Sequence, residues 1–354
     1  MTGVPTSAGE QTSSVSALLE RGREQCMPLL RESVAGLADP MDTVAAYHFG
    51  WIDAHGQPAK GRGGKAVRPT LALLSARAAG ADPEVGVRGA VAVELVHNFS
   101  LLHDDLMDGD TTRRHRATAW TVYGSALAIL TGDALLALAS EVLLHADGAA
   151  AGREGRARAV RLLTTATSTL IRGQARDLAF ERRDRISVAE CQAMESDKTA
   201  ALLACSCAIG AALAGGNCTS TGALSRYGYH LGLAFQAVDD FLGIWGDSEI
   251  TGKPLWSDLR RRKKSLPVCA ALEEGGPESR KLAELLAVPD GDVDEPHLAE
   301  RAALIEAAGG RDFTLDAARR SHERALAALE GVPMPGTVHR HFEDLADFVV
   351  RRTM

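Results

Sequence analysis

Along most of the chain apolar residues return every three or four positions, as in AVAVELVHNFSLLHDDLM, GSALAILTGDALLALASEVLLHA and YGYHLGLAFQAVDDFLGIWG. Such steps set side chains on one face of a helix, whereas the alternation and aromatic content of strands are scarce. The pattern predicts an all-α protein. Gly, Pro, Asx and charge cluster at HGQPAKGRGGK, GDTTRRHRATAW, DGAAAGREGR, GGNCTSTG, SEITGKPLW and VPDGDVDEP, which are the expected breaks. The intervals hold helices of about 15 to 25 residues, longer than the usual mean of about 11 to 12. With no fixed-period repeat and no linker between two cores, residues 16–354 are expected to form a single large helical bundle. Residues 1–15, MTGVPTSAGEQTSSV, are too poor in apolar side chains to fold alone and are expected to be a disordered tail.

Two acidic clusters interrupt the apolar pattern. Asp104, Asp105 and Asp108 follow Asp-Asp-x-x-Asp, so on a helix Asp104 and Asp108 lie one turn apart with Asp105 beside them. In FQAVDDFLGIWGD, Gln236, Asp239, Asp240 and Gly243 stand at i, i+3, i+4 and i+7, a single helical stripe. An unpaired carboxylate among Phe, Val, Leu, Ile and Trp is costly, and a like-charged neighbour adds to the cost, so a bound cation is expected there. A solvated helix end would explain the first cluster alone but not both. Oxygen ligands so arranged suit Mg²⁺, which takes one or two carboxylates and completes its shell with water or phosphate. A di-iron bundle would want Glu-x-x-His pairs, and none is placed with these aspartates.

The 354 residues are 45% hydrophobic and 24% charged with a formal net charge of -7, an ordinary soluble composition whose acidic balance argues against broad nucleic-acid binding. No apolar run reaches the roughly 18 to 20 residues that span a bilayer, and the N-terminus lacks the pattern of a secretory signal. No transmembrane segment and a cytoplasmic location are therefore expected. Six cysteines fit neither a zinc motif nor a disulfide framework. Cys205 and Cys207 fall on different helix faces and are expected to be small core residues.

A phosphorylated ligand on Mg²⁺ also needs cationic side chains. Lys65 and Arg68 stand beside paired glycines in GRGGKAVRP, which allow backbone to approach an anion. Arg113 and Arg114 follow the first acidic cluster, Lys198 and Thr199 are placed near a helix beginning, and Lys253 and Lys263 follow the second cluster. Singly, each reads as a solvated surface charge; their alternation with carboxylates is harder to dismiss.

The ordered set GGKAVRP, HDDLMDGDTTRR, GQARDL, DKTA, FQAVDD and GKPLWSDLRRRKKSLP resembles the trans-isoprenyl diphosphate synthases, or polyprenyl synthetases, over roughly residues 60–270. The resemblance implies an all-α bundle around a deep central cavity, a homodimer, and three Mg²⁺ ions held between two Asp-rich helices. It implies that Lys65, Arg68, His97 and Arg114 hold the diphosphate of isopentenyl diphosphate. The allylic diphosphate would be held through Mg²⁺ on Asp104, Asp108 and Asp239, with Arg113, Lys198, Thr199, Gln236, Lys253 and Lys263. Catalysis would fall to Asp104, Asp105, Asp108, Lys198 and Asp239. His97 precedes Asp104 by two helical turns on the same face, which is self-consistent.

In such enzymes residues four and five positions before the first Asp form the floor under the growing tail; here they are Ser100 and Phe99. Phe99 would lie about 7.5 Å along the helix from Asp104. That pattern resembles geranylgeranyl diphosphate synthases most, implying a C20 product, with a C15 farnesyl diphosphate synthase as the alternative. A class I terpene cyclase would have no use for Lys65, Arg68 and His97 as a second diphosphate site, and a non-catalytic partner subunit would more often lose the first cluster. Three departures stand out: Gly243 where many relatives carry a third aspartate, and Trp256 and Arg262 where they carry glycine.

Overall fold

The helix that carries the first acidic cluster, α4 (Val87–Met107), buries Ala90, Val91, Ala92, Val93, Leu95 and Val96 in succession, so it is apolar on every side. Such a helix belongs inside a bundle. The computed structural model describes residues 8–59, 64–145, 152–247, 255–287 and 294–351. In it α4 packs against α1 (Ala8–Ala35), α3 (Val67–Ala78), α5 (Ala119–Tyr123) and α6 (Ser125–Leu144). The remaining helices are α2 (Met41–His48), α7 (Gly152–Glu181), α8 (Val188–Glu195), α9 (Ala201–Leu213), α10 (Cys218–Trp245), α11 (Ser257–Arg260), α12 (Leu266–Glu274), α13 (Pro277–Ala287), α14 (Glu295–Ala307), α15 (Gly310–Leu329) and α16 (Gly336–Val350). The all-α expectation holds. Among the described residues the one sheet is a pair of two-residue strands, β1 (Thr112–Arg113) and β2 (Arg116–Ala117), with Thr112 opposite Ala117 and Arg113 opposite Arg116.

The chain divides into two compact units. The first comprises residues 1–167, 205–225 and 331–345; the second comprises residues 168–204, 226–330 and 346–354. Four of the five boundaries fall inside α7, α9, α10 and α16, which is why no linker composition marks them, and the fifth lies between α15 and α16. Of the expected tail, residues 1–7 lie outside the described residues; α1 begins at Ala8, where Ala, Glu and Gln favour helix.

In the first unit α3 and α9 approach closely at Gly210. A Cβ there would lie 1.9 Å from the Ala72 carbonyl oxygen and 2.5 Å from Ser75 Oγ. Ser75 Oγ donates to Ala72 O at 2.9 Å and accepts from Ala211 N at 3.2 Å, so it is satisfied between the two backbones. In the second unit α8 opens with a capping box, in which Ser187 and Glu190 bond each other's backbone N–H. One apolar cluster there gathers Phe180, Ile186, Met194, Val238 and Leu266; another gathers Ile244, Leu259, Val268, Leu298 and Ile305. Cys205 and Cys207 are buried, as expected, and burial raises both thiol pKa values.

Three helical runs, Pro83–Met107, Ser125–Leu144 and Val188–Leu213, do reach the length and hydropathy of membrane-crossing segments, contrary to the expectation from counting uninterrupted apolar residues. In the first and third, 67% and 78% of the most apolar window is buried in the protein, so their hydropathy belongs to the core. For α6 the share is only 39%, and Ile129, Leu130 and Leu144 are exposed.

Gly210→Ala is expected to lower stability by about 1–3 kcal/mol, the usual cost of overpacking, read as a lower urea midpoint. Gly336→Ala, whose added Cβ would meet nothing within 4 Å, is expected to leave the midpoint unchanged.

Candidate active site

The turn between β1 and β2 is made by Arg114 and His115, at φ 51° and 61°. A two-residue hairpin loop with positive φ at both positions suits Asn and Gly and is strained for Arg and His. Contacts on both sides hold it. Arg116 donates to the carbonyl oxygens of Tyr47 (3.1 Å) and Ile52 (2.8 Å), and its guanidinium lies 4.4 Å from the Tyr47 ring centroid. Tyr47 Oη donates to Ala117 O at 2.7 Å, and Arg113 Nε donates to Asp105 Oδ1 at 2.5 Å. Strain over-determined in this way concentrates where a side chain has to be aimed. A Cβ on Gly64 would lie 2.9 Å from Arg114 Nη2, so the glycine leaves that guanidinium its place. Arg23 of α1 donates to Gly64 O at 2.7 Å. Lys65, Asp105, Arg113, Arg114, Arg116 and His48 line a cavity of about 410 Å³.

Arg68 and His97 meet at 3.4 Å, Nη1 to Nε2. A guanidinium only donates, so His97 Nε2 accepts and its ring proton sits on Nδ1. Burial first, then Arg68, Arg114, Arg113 and His48, hold the His97 pKa well below the usual histidine value, and His97 is neutral. Glu94 is the carboxylate acting on Arg68 and Arg114; burial raises its pKa against their pull. Asn98 Nδ2 donates to Glu94 Oε1 at 3.0 Å and to Glu94 O at 2.8 Å. The structure therefore brings together Lys65, Arg68, His97, Arg113 and Arg114 in the first unit. Arg23, His48, Glu94 and Arg116 were missed in the sequence, because they lie outside the motifs and only tertiary packing brings them in.

In the first acidic cluster Asp104 is half-buried, Asp108 is the exposed C-cap of α4, and Asp105 is 1% exposed. Asp105 departs from its expected role beside the other two, because its side chain turns to Arg113 and ties the hairpin to α4. Burial raises the Asp105 pKa while Arg113 opposes that shift. Arg113, expected on the allylic side, lines the same cavity as Lys65 and Arg114. Phe99 is 6% exposed, with its ring edge-on to His103 at 4.9 Å between centroids, and His103 Nε2 lies 3.0 Å from Ile129 O. Ser100 Oγ turns back to His97 O at 2.8 Å.

The second unit holds the other candidates, except Lys253, which lies outside the described residues. Lys198 and Thr199 are not at a helix beginning. They sit in a π-turn, Ser196–Ala200, inside a helical run from Val188 to Leu213. Such bulges recur at functional sites because the extra residue re-aims side chains. Gly173 of α7 packs on this turn: a Cβ there would lie 2.3 Å from Lys198 N. Lys198 Nζ donates to Asp177 Oδ2 at 2.7 Å. Thr199 Oγ1 donates to Gln236 Oε1 at 2.6 Å, and Gln236 Nε2 donates to Asp240 Oδ1 at 2.7 Å.

Asp240, the partner of the expected ligand Asp239, is neutralised by the protein itself. It is 1% exposed, its Oδ2 accepts the Leu266 N–H at 2.8 Å, and Lys263 Nζ lies 3.7 Å from Oδ1. Leu266 opens α12, so the carboxylate sits at a helix N-terminus, where negative charge is stabilised. Burial opposes the Lys263 charge, yet Asp240, Asp258, Asp239 and Asp177 hold its pKa above the usual lysine value. Glu195 is buried beside Asp240; burial and then the Asp240 charge raise its pKa well above its ordinary value. Gly243 faces Asp258: a Cβ at 243 would lie 2.3 Å from Asp258 Oδ2.

Among the described residues no three His, Cys, Asp or Glu side chains form a group able to hold a metal by themselves. Two carboxylates one turn apart at the end of α4, one half-buried and one exposed, still fit Mg²⁺, which keeps waters and phosphate oxygens in its shell.

A helical fold with a basic cavity beside an acidic helix end fits a protein of the isoprenoid synthase type. The family model described as polyprenyl synthetase matches residues 50–300. The chain is 47% identical to a (2E,6E)-farnesyl diphosphate synthase of Mycobacterium tuberculosis, over 95% of this chain and 92% of that one. It is 42% identical to a geranylgeranyl diphosphate synthase of the same organism, over 90% and 88%. The crystal structure of a polyprenyl synthetase from Streptomyces coelicolor A3(2) superposes with a TM-score of 0.90 at 61% identity, over 95% of this chain and 99% of that one. The chain belongs to the polyprenyl synthetase family of trans-isoprenyl diphosphate synthases and is a prenyltransferase.

Gly243→Asp is expected to disrupt the site by driving a side chain into Asp258, lowering both melting temperature and turnover. Gly243→Asp combined with Asp258→Gly is expected to recover part of both losses, with a coupling energy of about 1–3 kcal/mol in a double-mutant cycle. A double variant no better than Gly243→Asp alone would show that this clash is not the constraint.

Proposed function

We propose that the protein joins isopentenyl diphosphate to an allylic diphosphate, head to tail, and that its product is C20 geranylgeranyl diphosphate. The observation that carries this reading is the basic cavity of the first unit, where Lys65, Arg113, Arg114 and Arg116 line about 410 Å³ and Arg68 abuts a neutral His97. A terpene cyclase, which ionises a single diphosphate, has no use for a second diphosphate cradle. A non-catalytic partner subunit would not need to keep the cradle and both acidic clusters.

In this reading Lys65, Arg68, His97 and Arg114 hold the homoallylic diphosphate. Lys198, Thr199, Gln236, Lys253 and Lys263 serve the allylic one, and Arg113, which lines the homoallylic cavity, adds its charge to both. Asp104, Asp108 and Asp239 would hold Mg²⁺, which supplies charge neutralisation for the leaving diphosphate. Lys198 is oriented by Asp177 and Thr199 by Gln236, so these groups are positioned before substrate arrives. As the allylic carbon–oxygen bond breaks, its electron pair goes to the diphosphate, whose charge the lysines and arginine stabilise. The double bond of isopentenyl diphosphate attacks the allylic carbon, and the proton lost next goes to the departing diphosphate. No nucleophilic side chain is required.

Phe99 supports the C20 reading, since it is buried and pinned edge-on to His103 below the acidic cluster. The relative named as a farnesyl diphosphate synthase supports a C15 product as the second reading. A homodimer and a cytoplasmic location complete the proposal. The exposed apolar residues of α6, Ile129, Leu130 and Leu144, support a second copy as their cover.

Purified protein with Mg²⁺, isopentenyl diphosphate and C5, C10 or C15 allylic diphosphates is expected to yield C20 diphosphate by chromatography. Dominant C15 would select the second reading, and no consumption of isopentenyl diphosphate would overturn the function. Asp104→Ala is expected to reduce turnover by about 10²–10³-fold with an unchanged circular dichroism spectrum. Phe99→Ala is expected to lengthen the product; an unchanged distribution would remove Phe99 as the floor.

A further inference from the structure

His48 closes α2 with its imidazole at the cavity lined by Lys65, Arg113, Arg114 and Arg116, and no motif reaches it. The Asn98 side chain lies within reach of its ring. Asn98 Nδ2 is already committed to Glu94 O and Oε1, so the atom left for His48 is Asn98 Oδ1, an acceptor. The imidazole therefore donates to Asn98 from one nitrogen, and in its neutral form the other nitrogen carries no proton. Glu94, Asn98 and His48 make a chain that fixes the ring's orientation and tautomer from behind.

The surroundings keep that second nitrogen unprotonated while the cavity holds no anion. Burial, then Arg113 and Arg114, with Arg116 adding to them, lower the His48 pKa to about 3, and the Asn98 bond opposes them only in part. His97 of α4 is a further titratable neighbour, and Asp105 lines the same cavity. Helices α1, α5 and α6, which also pack on α2, supply none of these leading influences. An anion reverses the balance: it cancels the field of the guanidinium groups and offers an acceptor to the ring.

We propose that His48 is a binding residue for the diphosphate of the homoallylic substrate, taking up a proton from solvent as that anion enters the cavity and donating it to a phosphate oxygen as a hydrogen bond. The identity of the anion rests on the prenyltransferase reading above; the proton linkage does not. His48 is neutral in the free protein above about pH 3, and its pKa rises on binding. Binding is strengthened in the window between those two values and weakens as pH climbs through the bound-state value.

The test is calorimetric titration of inorganic pyrophosphate, and separately of isopentenyl diphosphate, into the full chain and His48→Asn in buffers of different ionisation enthalpy. Proton changes of the ligand itself are common to both proteins and cancel in the difference. Wild type is expected to take up as much as about one proton more than His48→Asn. His48→Asn is also expected to raise KM for isopentenyl diphosphate about tenfold or more while leaving KM for the allylic diphosphate unchanged, a split that a packing defect would not produce. Equal proton uptake in the two proteins, or an equal rise in both KM values, would overturn the proposal. If wild type fails to consume isopentenyl diphosphate yet binds pyrophosphate with uptake that His48→Asn loses, the function falls and the His48 assignment stands.

Discussion

The buried carboxylate of Asp240 is the contact on which the candidate site of the second unit depends. It accepts the first N–H of α12 and the amide of Gln236, and it lies beside the Lys263 ammonium. Remove it and two donors lose their acceptor and Lys263 its counter-charge, which in a poorly solvated site costs more than each bond contributes when made. Its influence spreads through side chains: Gln236, held by Asp240, receives the Thr199 hydroxyl from the π-turn, and that turn also carries Lys198 with its anchor Asp177. Burial and the same carboxylate raise the Glu195 pKa. Asp239, one residue earlier, is only half-buried and is the member of the pair proposed for Mg²⁺. Adjacent aspartates thus divide into a structural charge and a candidate ligand because one faces a helix N-terminus.

The first unit poses the opposite electrostatic problem. Arg68, Arg113, Arg114, Arg116 and Lys65 gather with Glu94 and Asp105 as the buried carboxyl groups acting on them. Positive charge in excess destabilises a protein without its ligand, and the structure contains that cost in three ways. His48 and His97 remain neutral, Arg116 is fastened to backbone carbonyls and Arg113 to a carboxylate, and the hairpin that presents Arg114 is strained but braced. A site so arranged gains most from an anion of high charge density, because Arg113 and Arg116 are already held in place before it enters.

What the sequence disclosed follows from the range of the forces involved. Three- and four-residue periodicity is local, so α4, α6 and α10 were legible, as were the carboxylates and cations of the motifs. The unit boundaries inside continuous helices carry no local signal. The β1–β2 hairpin was hidden because Arg-His stands where Asn-Gly would announce a tight turn. The π-turn at Lys198 was hidden because its extra residue fits an apolar period as readily as a helix start does. His48, Arg23 and Glu94 have no pattern of their own, since only the fold of α1, α2 and α4 brings them to one cavity. The aspartate pair pointed to positive charge, and beside Asp240 that charge is the chain's own Lys263.

The departures at Gly243, Trp256 and Arg262 belong to one geometry. Trp256 and Arg262 have φ of 58° and 51°, the left-handed conformation that glycine takes freely and that costs other residues about 1–2 kcal/mol. They bracket the single turn of α11, with Trp256 packed against the cluster around Ile244 and Leu259. Backbone bonds from Arg262 N to Leu259 O at 3.2 Å and from Lys263 N to Asp258 O at 2.9 Å close the turn. A conformation kept despite the loss of glycine is held by what it positions. Here that is Asp258, 7% exposed, whose carboxylate occupies the space where a side chain at 243 would begin and acts on Lys263. The carboxylate absent from the α10 stripe is thus matched by one delivered from α11, and glycine at 243 is the residue that leaves room for it.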